Sequence, residues 1–106
     1  MPPVTLSDIE IQRELNAMDG WTRRGDAIIK TYEFHTFAEA IAWVNRVAAA
    51  AEAAEHHPDL DIRFRMVAAS LSTHDSGGIT ALDFAVAHVM DQLVGPQDPE
   101  GPGLGA

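Results

Sequence analysis

The alternation of apolar and polar residues between positions 61 and 73 constrains the fold most, because it changes phase part-way along. Apolar residues occupy first one parity and then the other: Ile62, Phe64 and Met66, then Val67, Ala69 and Leu71. Side chains of a strand point alternately to its two faces, so one regular strand cannot bury both sets on the same face. The phase change predicts a turn, bulge or sharp bend near Met66, and therefore two short strands.

A helix and a hairpin are predicted before this region. Ser7 and Glu10 have the spacing of a capping box, and Gly20 ends the apolar periodicity that follows them. Two strands, over 21–24 and 27–34, then flank the turn pair Gly25-Asp26. We interpret the Arg-Gly-Asp tripeptide at this place as a turn and not as a cell-adhesion motif.

Two further helices are predicted. Thr36 can cap a helix that ends near His56, because Pro58 disfavours helical geometry at the residue before it. Thr80 can cap the last helix, which ends before a Gly- and Pro-rich stretch. The predicted buried stripes of these two helices are Phe37, Ile41, Val44, Ala48 and Ala51, and Leu82, Val86, Val89 and Leu93.

The order of these elements, α-β-β-α-β-β-α, is typical of an α+β fold. We expect a four-stranded antiparallel sheet with three helices packed on one face. One domain should span 1–94. Residues 95–106 are dominated by Gly and Pro and cannot bury enough apolar surface to offset their ordering entropy, so we expect a disordered tail there.

Composition and charge disfavour several classes of protein. The chain carries 16 acidic and 7 basic side chains, and its net charge of −9 argues against a nucleic-acid partner. No apolar run approaches the roughly 20 residues of a membrane span, and the N-terminus does not have the pattern of a signal peptide. There is no cysteine for a disulfide or a thiolate metal site. We expect a cytoplasmic protein.

Three histidines are candidates for chemistry. His56 and His57 lie at the break between a helix and a strand, and His74 ends a later strand before a glycine-rich loop. Glu52 precedes His56 by one helical turn and could orient its imidazole. Histidine titrates near neutrality, so neighbouring imidazoles can supply an acid and a base at the same pH.

Plainer interpretations stand beside this one. A histidine pair before proline suits a helix C-terminus, where the dipole favours a cation, and Asp83 has the spacing of a capping-box partner of Thr80. His35 and His88 are interpreted as structural. Zinc or iron is a third interpretation, but adjacent histidines point apart on an extended chain and the familiar metal spacings are missing. We expect no metal.

The spacing of these residues resembles a specific signature. Glu52, the triplet His56-His57-Pro58, Phe64, His74 and Asp83 follow one another as in the pterin-4a-carbinolamine dehydratase family. The surrounding segments 59–64 and 71–80 also resemble bacterial members. The resemblance covers nearly the whole domain except the tail.

The resemblance implies a fold, an assembly and a reaction. The fold is a four-stranded antiparallel sheet with three helices on one side, and the assembly is a homodimer or homotetramer. The reaction is the dehydration of 4a-hydroxytetrahydrobiopterin to quinonoid dihydropterin, in the recycling of tetrahydropterin after aromatic amino-acid hydroxylation. This implies a pterin substrate, a functional link to a hydroxylase and no cofactor.

The resemblance also implies roles for individual residues. The catalytic histidines would be His56, His57 and His74, with His57 and His74 transferring protons and His56 orienting the pterin. Glu52 and Asp83 would be supporting acids. The residues implied to bind substrate are His56, Phe64, Thr73 and Asp75.

Two departures from the family pattern leave the histidines untouched. Leu60 stands where many relatives carry an aromatic residue, and Phe64 stands where tyrosine is common. The alternative function is a non-catalytic pterin-binding, dimerisation or assembly module on the same scaffold. The complete histidine set favours the enzyme, because a purely structural module has no evident need for it.

Overall fold

A computed structural model of the chain describes residues 2–95. The element order α-β-β-α-β-β-α and the α+β class are confirmed. The helices and strands are α1 Asp8–Asn16, β1 Thr22–Arg24, β2 Ala27–Glu33, α2 Phe37–Ala54, β3 Asp59–Arg63, β4 Met66–Leu71 and α3 Ala81–Gln92. Of the predicted tail, 95–106, all but Gly95 lies outside the described residues.

The four strands form one antiparallel sheet in the order β1-β2-β4-β3. Burial alternates along the two central strands, which shows that the helices cover one face of the sheet and leave the other open. The helix-covered face carries buried side chains from both strands: Ile28, Tyr32, Val67, Ala69 and Leu71. Their neighbours in the alternate positions are half-buried or exposed, such as Ile29, Ala68 and Ser70.

The predicted phase change is confirmed as a tight turn between β3 and β4. Phe64 lies in this turn with a φ of 53°, a left-handed conformation that reverses the chain. Arg63 pairs with Met66 on its far side. The turn places Val67 on the helix-covered face, so β4 contributes the second apolar parity to the core.

Local signals set the starts of the helices. Ser7 and Glu10 form the predicted capping box of α1, and Thr80 and Asp83 form that of α3. The side chain of Thr36 accepts a hydrogen bond from the N–H of Glu39 at the start of α2. Each cap satisfies backbone donors that have no partner inside the helix.

The predicted buried stripes of α2 and α3 are only partly correct. In α2 the structure buries Ala40, Trp43, Val47 and Ala51, whereas Phe37 and Ala48 are exposed. In α3 Leu82 and Val89 are exposed, and the buried residues are Asp83, Phe84, Val86, Ala87 and Met90. Trp43 explains the rotation of α2, since its ring packs 4.3 Å from that of Tyr32 and its indole N–H donates to the Met90 carbonyl at 3.1 Å.

Candidate active site

A fully buried carboxylate at the start of α3 is the centre of a hydrogen-bond network. Asp83 accepts from the N–H of Thr80 and from the hydroxyl of Thr73, both at 2.9 Å from its Oδ2. Its Oδ1 lies 2.6 Å from Nε2 of His56. The capping box turns this side chain back toward the N-terminus of the helix, and the end of β4 and the end of α2 converge on it.

His56 reaches Asp83 because of the way α2 ends. Glu55 adopts a left-handed conformation with a φ of 53°, and the N–H of His56 bonds to the carbonyl of Ala51. This turn directs the imidazole to α3, where it is buried. A carboxylate only accepts hydrogen bonds, so Nε2 of His56 carries the proton in this contact. Nδ1 is the ring nitrogen that does not contact Asp83 and can contact a bound molecule.

His57 has a different partner and a different environment. Its Nε2 lies 2.7 Å from Oε2 of Glu52, and both side chains are largely exposed, at 60% and 74%. The suggested contact between Glu52 and His56 is therefore wrong. The left-handed conformation of Glu55 ends the helix before His56. Glu52 and His56 therefore do not lie one above the other on a helical face, although they are four residues apart.

His74 begins a short 3₁₀ turn, His74–Ser76, directly after β4. Its imidazole is exposed and makes no hydrogen bond or ion pair with residues 2–95. The loop around it is closed by backbone bonds between Thr73 and Gly78. The N-terminal segment also holds it, because the Leu6 N–H donates to the Ile79 carbonyl at 2.9 Å.

A cleft of about 320 Å³ lies beside His74, at the end of the open sheet face. Its lining residues are Asp26, Ala27, Asp59, Ser70, Ser72, His74 and Gly77. This volume is at the small end of the range for small-molecule sites, roughly 300–1,000 Å³. Asp59 pairs with Ser70, and continuing this register by two positions aligns His57 with Ser72. His57 therefore belongs to the β3 flank of the cleft.

Two of the residues implied to bind substrate, Thr73 and Phe64, do not line the cleft of the single chain. The Thr73 hydroxyl is buried in the Asp83 network and bonds to the hydroxyl of Thr80 at 2.8 Å. Phe64 is 71% exposed at the opposite end of β3 from Asp59, about 15 Å away at the rise of a strand. Asp75 is exposed in the His74 turn, next to the cleft-lining His74.

The cleft also contains four residues with no role predicted from the sequence: Asp26, Asp59, Ser70 and Ser72. Asp26 belongs to the predicted turn, Asp59 and Ser72 lie in the segments 59–64 and 71–80 that resemble bacterial members, and Ser70 belongs to no motif. The alternating parity of Ser70 and Ser72 could have suggested a shared face. The contribution of the Gly25-Asp26 turn depends on tertiary contact and has no local signal.

His35 and His88 lie away from the cleft. Nδ1 of His35 is 3.7 Å from Glu39 at the start of α2, and His88 lies on the exposed side of α3. Within the described part of the chain, no three His, Asp or Glu side chains are grouped so as to hold a metal ion. No helix among residues 2–95 is long and apolar enough to cross a membrane.

Comparison with known families settles the membership. The family model described as pterin 4 alpha carbinolamine dehydratase matches residues 4–93, which include every residue of the cleft and of the Asp83 network. The chain belongs to this family. The resemblance noted in the sequence is thereby confirmed.

Two bacterial members of the pterin-4a-carbinolamine dehydratase family are similar to this chain over almost their whole length. A protein of Roseiflexus castenholzii, named "Putative pterin-4-alpha-carbinolamine dehydratase", is 52% identical over 89 residues, 84% of this chain and 96% of its own. A protein of the same name from Thermomicrobium roseum is 49% identical over 88 residues, 83% of this chain and 95% of its own.

Solved structures show the same architecture. A transcriptional coactivator/pterin dehydratase from Brucella melitensis superposes with a TM-score of 0.83 at 31% identity, covering 86% of this chain and 99% of that one. A pterin dehydratase-like protein identified as a RuBisCO assembly factor in the alpha-carboxysome superposes with a TM-score of 0.59 at 22% identity, covering 71% and 87%. This second likeness concerns the fold alone.

Proposed function

We propose that the chain dehydrates 4a-hydroxytetrahydropterin to quinonoid dihydropterin, using histidines as general acid and base. The observation that carries the proposal is the state of the three imidazoles. His56 and His57 are each held at Nε2 by a carboxylate, while His74 opens onto the cleft with its ring unengaged by residues 2–95.

The reaction needs one proton delivered and one removed. The C4a–O bond breaks, the hydroxyl leaves as water after it receives a proton, and a ring N–H loses its proton as the C=N bond forms. A protonated imidazole beside the hydroxyl and a neutral imidazole beside the N–H meet both needs. Such assistance typically contributes about 10²–10⁴-fold.

The roles proposed for the histidines follow their surroundings. His74 lines the cleft, and the strand register places His57 on the β3 flank. Both are exposed and can exchange protons with water between turnovers, so we assign the two transfers to them. His56 is buried and held by Asp83, which suits a group that orients the pterin ring through its remaining nitrogen. Glu52 holds His57 in the same tautomer that Asp83 imposes on His56.

Turnover of synthetic 4a-hydroxytetrahydropterin tests the proposal. We expect the native chain to accelerate dehydration and His74→Ala to lose about 10²–10⁴-fold of that acceleration. His35→Ala is the matched control, because it removes an exposed histidine away from the cleft. If the native chain and the variant both remain folded and match the uncatalysed rate, the chain is a pterin-binding or assembly module instead.

We further propose that the chain acts in tetrahydropterin recycling as a homodimer or homotetramer. Several large apolar side chains of the described residues are exposed, among them Phe64 at 71% and Phe37 at 49%, and their burial between copies of the chain would favour self-association. Light scattering coupled to size-exclusion chromatography gives the assembly directly. A monomer at micromolar concentration would contradict this part of the proposal.

A further inference from the structure

The turn between β1 and β2 is attached to the floor of the cleft. The Ser72 hydroxyl donates to the backbone carbonyl of Asp26 at 2.7 Å, and this bond joins the hairpin turn to the end of β4. Gly25 supplies the left-handed conformation of the turn, with a φ of 59°. Asp26 is therefore held at the edge of the cleft by a tertiary hydrogen bond as well as by its hairpin.

The carboxylate of Asp26 has no partner within the described chain. It makes no hydrogen bond or ion pair with residues 2–95, although it lines the cleft. By contrast, Asp61 on the same open face pairs with Arg63 at 3.3 Å. Asp26 thus presents a free anionic acceptor to whatever occupies the cleft.

The floor of the cleft suits a flat ring. It is formed by small, half-buried side chains on the open face, Ala27, Ser70 and Ser72, and the three helices within residues 2–95 cover the other face. The strand order places β4 between β2 and β3. Asp26 therefore lies on the β2 flank, and His57 and Asp59 lie on the β3 flank.

We propose that the Asp26 carboxylate binds the 2-amino and N3–H edge of the pterin ring. This edge presents two adjacent N–H donors, as a guanidinium group does, and a carboxylate can accept both at once. The reacting C4a is the ring-fusion carbon opposite C2 in the pyrimidine ring, so it faces away from this edge, and an anchor on the β2 flank leaves it on the side of the histidines. The identity of the ligand rests on the proposed function, whereas the placement of the acceptor rests on the cleft.

Equilibrium binding of two stable ligands tests the inference without turnover. Pterin carries the 2-amino donor, and lumazine carries a 2-oxo acceptor in its place. We expect the native chain to bind pterin at least about tenfold more tightly than lumazine, because lumazine sets an oxygen against the carboxylate. Asp26→Asn should weaken pterin binding about ten- to hundredfold and narrow the difference between the two ligands.

Two further variants make the result specific. Asp61→Asn removes the same charge from the same sheet face outside the cleft, and it should leave both affinities within about twofold. Asp59→Asn removes the other cleft carboxylate and should preserve the preference for pterin. Asparagine suits turns as well as aspartate does, so Asp26→Asn should fold normally, which circular dichroism checks.

The outcomes separate this inference from the proposed function. The role of Asp26 is overturned if Asp26→Asn binds pterin as tightly as the native chain does. It is also overturned if Asp59→Asn, and not Asp26→Asn, loses the preference for pterin over lumazine. Both conclusions hold even when the native chain turns over substrate. An equal loss in Asp61→Asn shows only a general effect of charge and also overturns it. If the native chain binds no pterin and catalyses no dehydration, both proposals fail.

Discussion

Replacing Asp83 by asparagine should destabilise the protein far more than replacing Glu52 by glutamine. The two acids make almost the same contact, at 2.6 Å to His56 and 2.7 Å to His57. Their surroundings differ, because the first pair is 10% and 0% exposed and the second is 60% and 74% exposed. The pair of substitutions therefore compares a buried histidine–carboxylate contact with an exposed one.

The magnitude follows from the donors that Asp83 satisfies. Its oxygens accept from Thr73, Thr80 and His56, all buried. The amide oxygen of asparagine can keep the two bonds at Oδ2, but its NH₂ then faces His56 and forces the imidazole into the other tautomer. Loss of the charge-assisted hydrogen bond to His56 and of the matching tautomer should lower the free energy of unfolding by about 2–4 kcal/mol. An exposed ion pair contributes about 0–1 kcal/mol to stability, so Glu52→Gln should change the free energy of unfolding little.

Urea unfolding at neutral pH measures both values. Trp21 and Trp43 are buried and should report unfolding by fluorescence. All variants need the same protein concentration, since self-association adds to apparent stability. Equal losses for the two variants, or a loss below about 1 kcal/mol for Asp83→Asn, would refute the argument from burial.

Two other predictions follow from the core. Burial, and then the hydrogen bond to Asp91 at 2.5 Å, raise the pKa of Tyr32 above its ordinary value of about 10. A raised folded-state pKa means that stability is complete below pH 10 and declines above it, as the unfolded chain ionises and the folded chain does not. Tyr32 is the only tyrosine, so near-ultraviolet absorbance of tyrosinate should rise only with unfolding, and a titration near pH 10 in the folded protein would contradict this. Leu71→Ala removes a fully buried side chain and should cost about 2–5 kcal/mol in urea unfolding, whereas Ile29→Ala, on the open face of the neighbouring strand, should cost clearly less.

The sequence alone determined the features that depend on neighbours along the chain. The phase change near Met66 predicted two strands, because the period of two is a property of the strand itself. The capping spacings predicted where α1 and α3 begin, because the bonds involved join residues three apart. The His56-His57-Pro58 triplet marked the end of α2 to within two residues.

Only the tertiary structure decided which face of α2 is buried and which side chains meet at the site. An alanine-rich helix is apolar almost all round, so the fit of Trp43 against Tyr32 set its rotation, and local periodicity could not. The contact between His56 and Asp83 spans 27 positions, and that between Asp26 and Ser72 spans 46. Such contacts depend on strand order and on helix placement over the sheet, which no short pattern in the chain encodes.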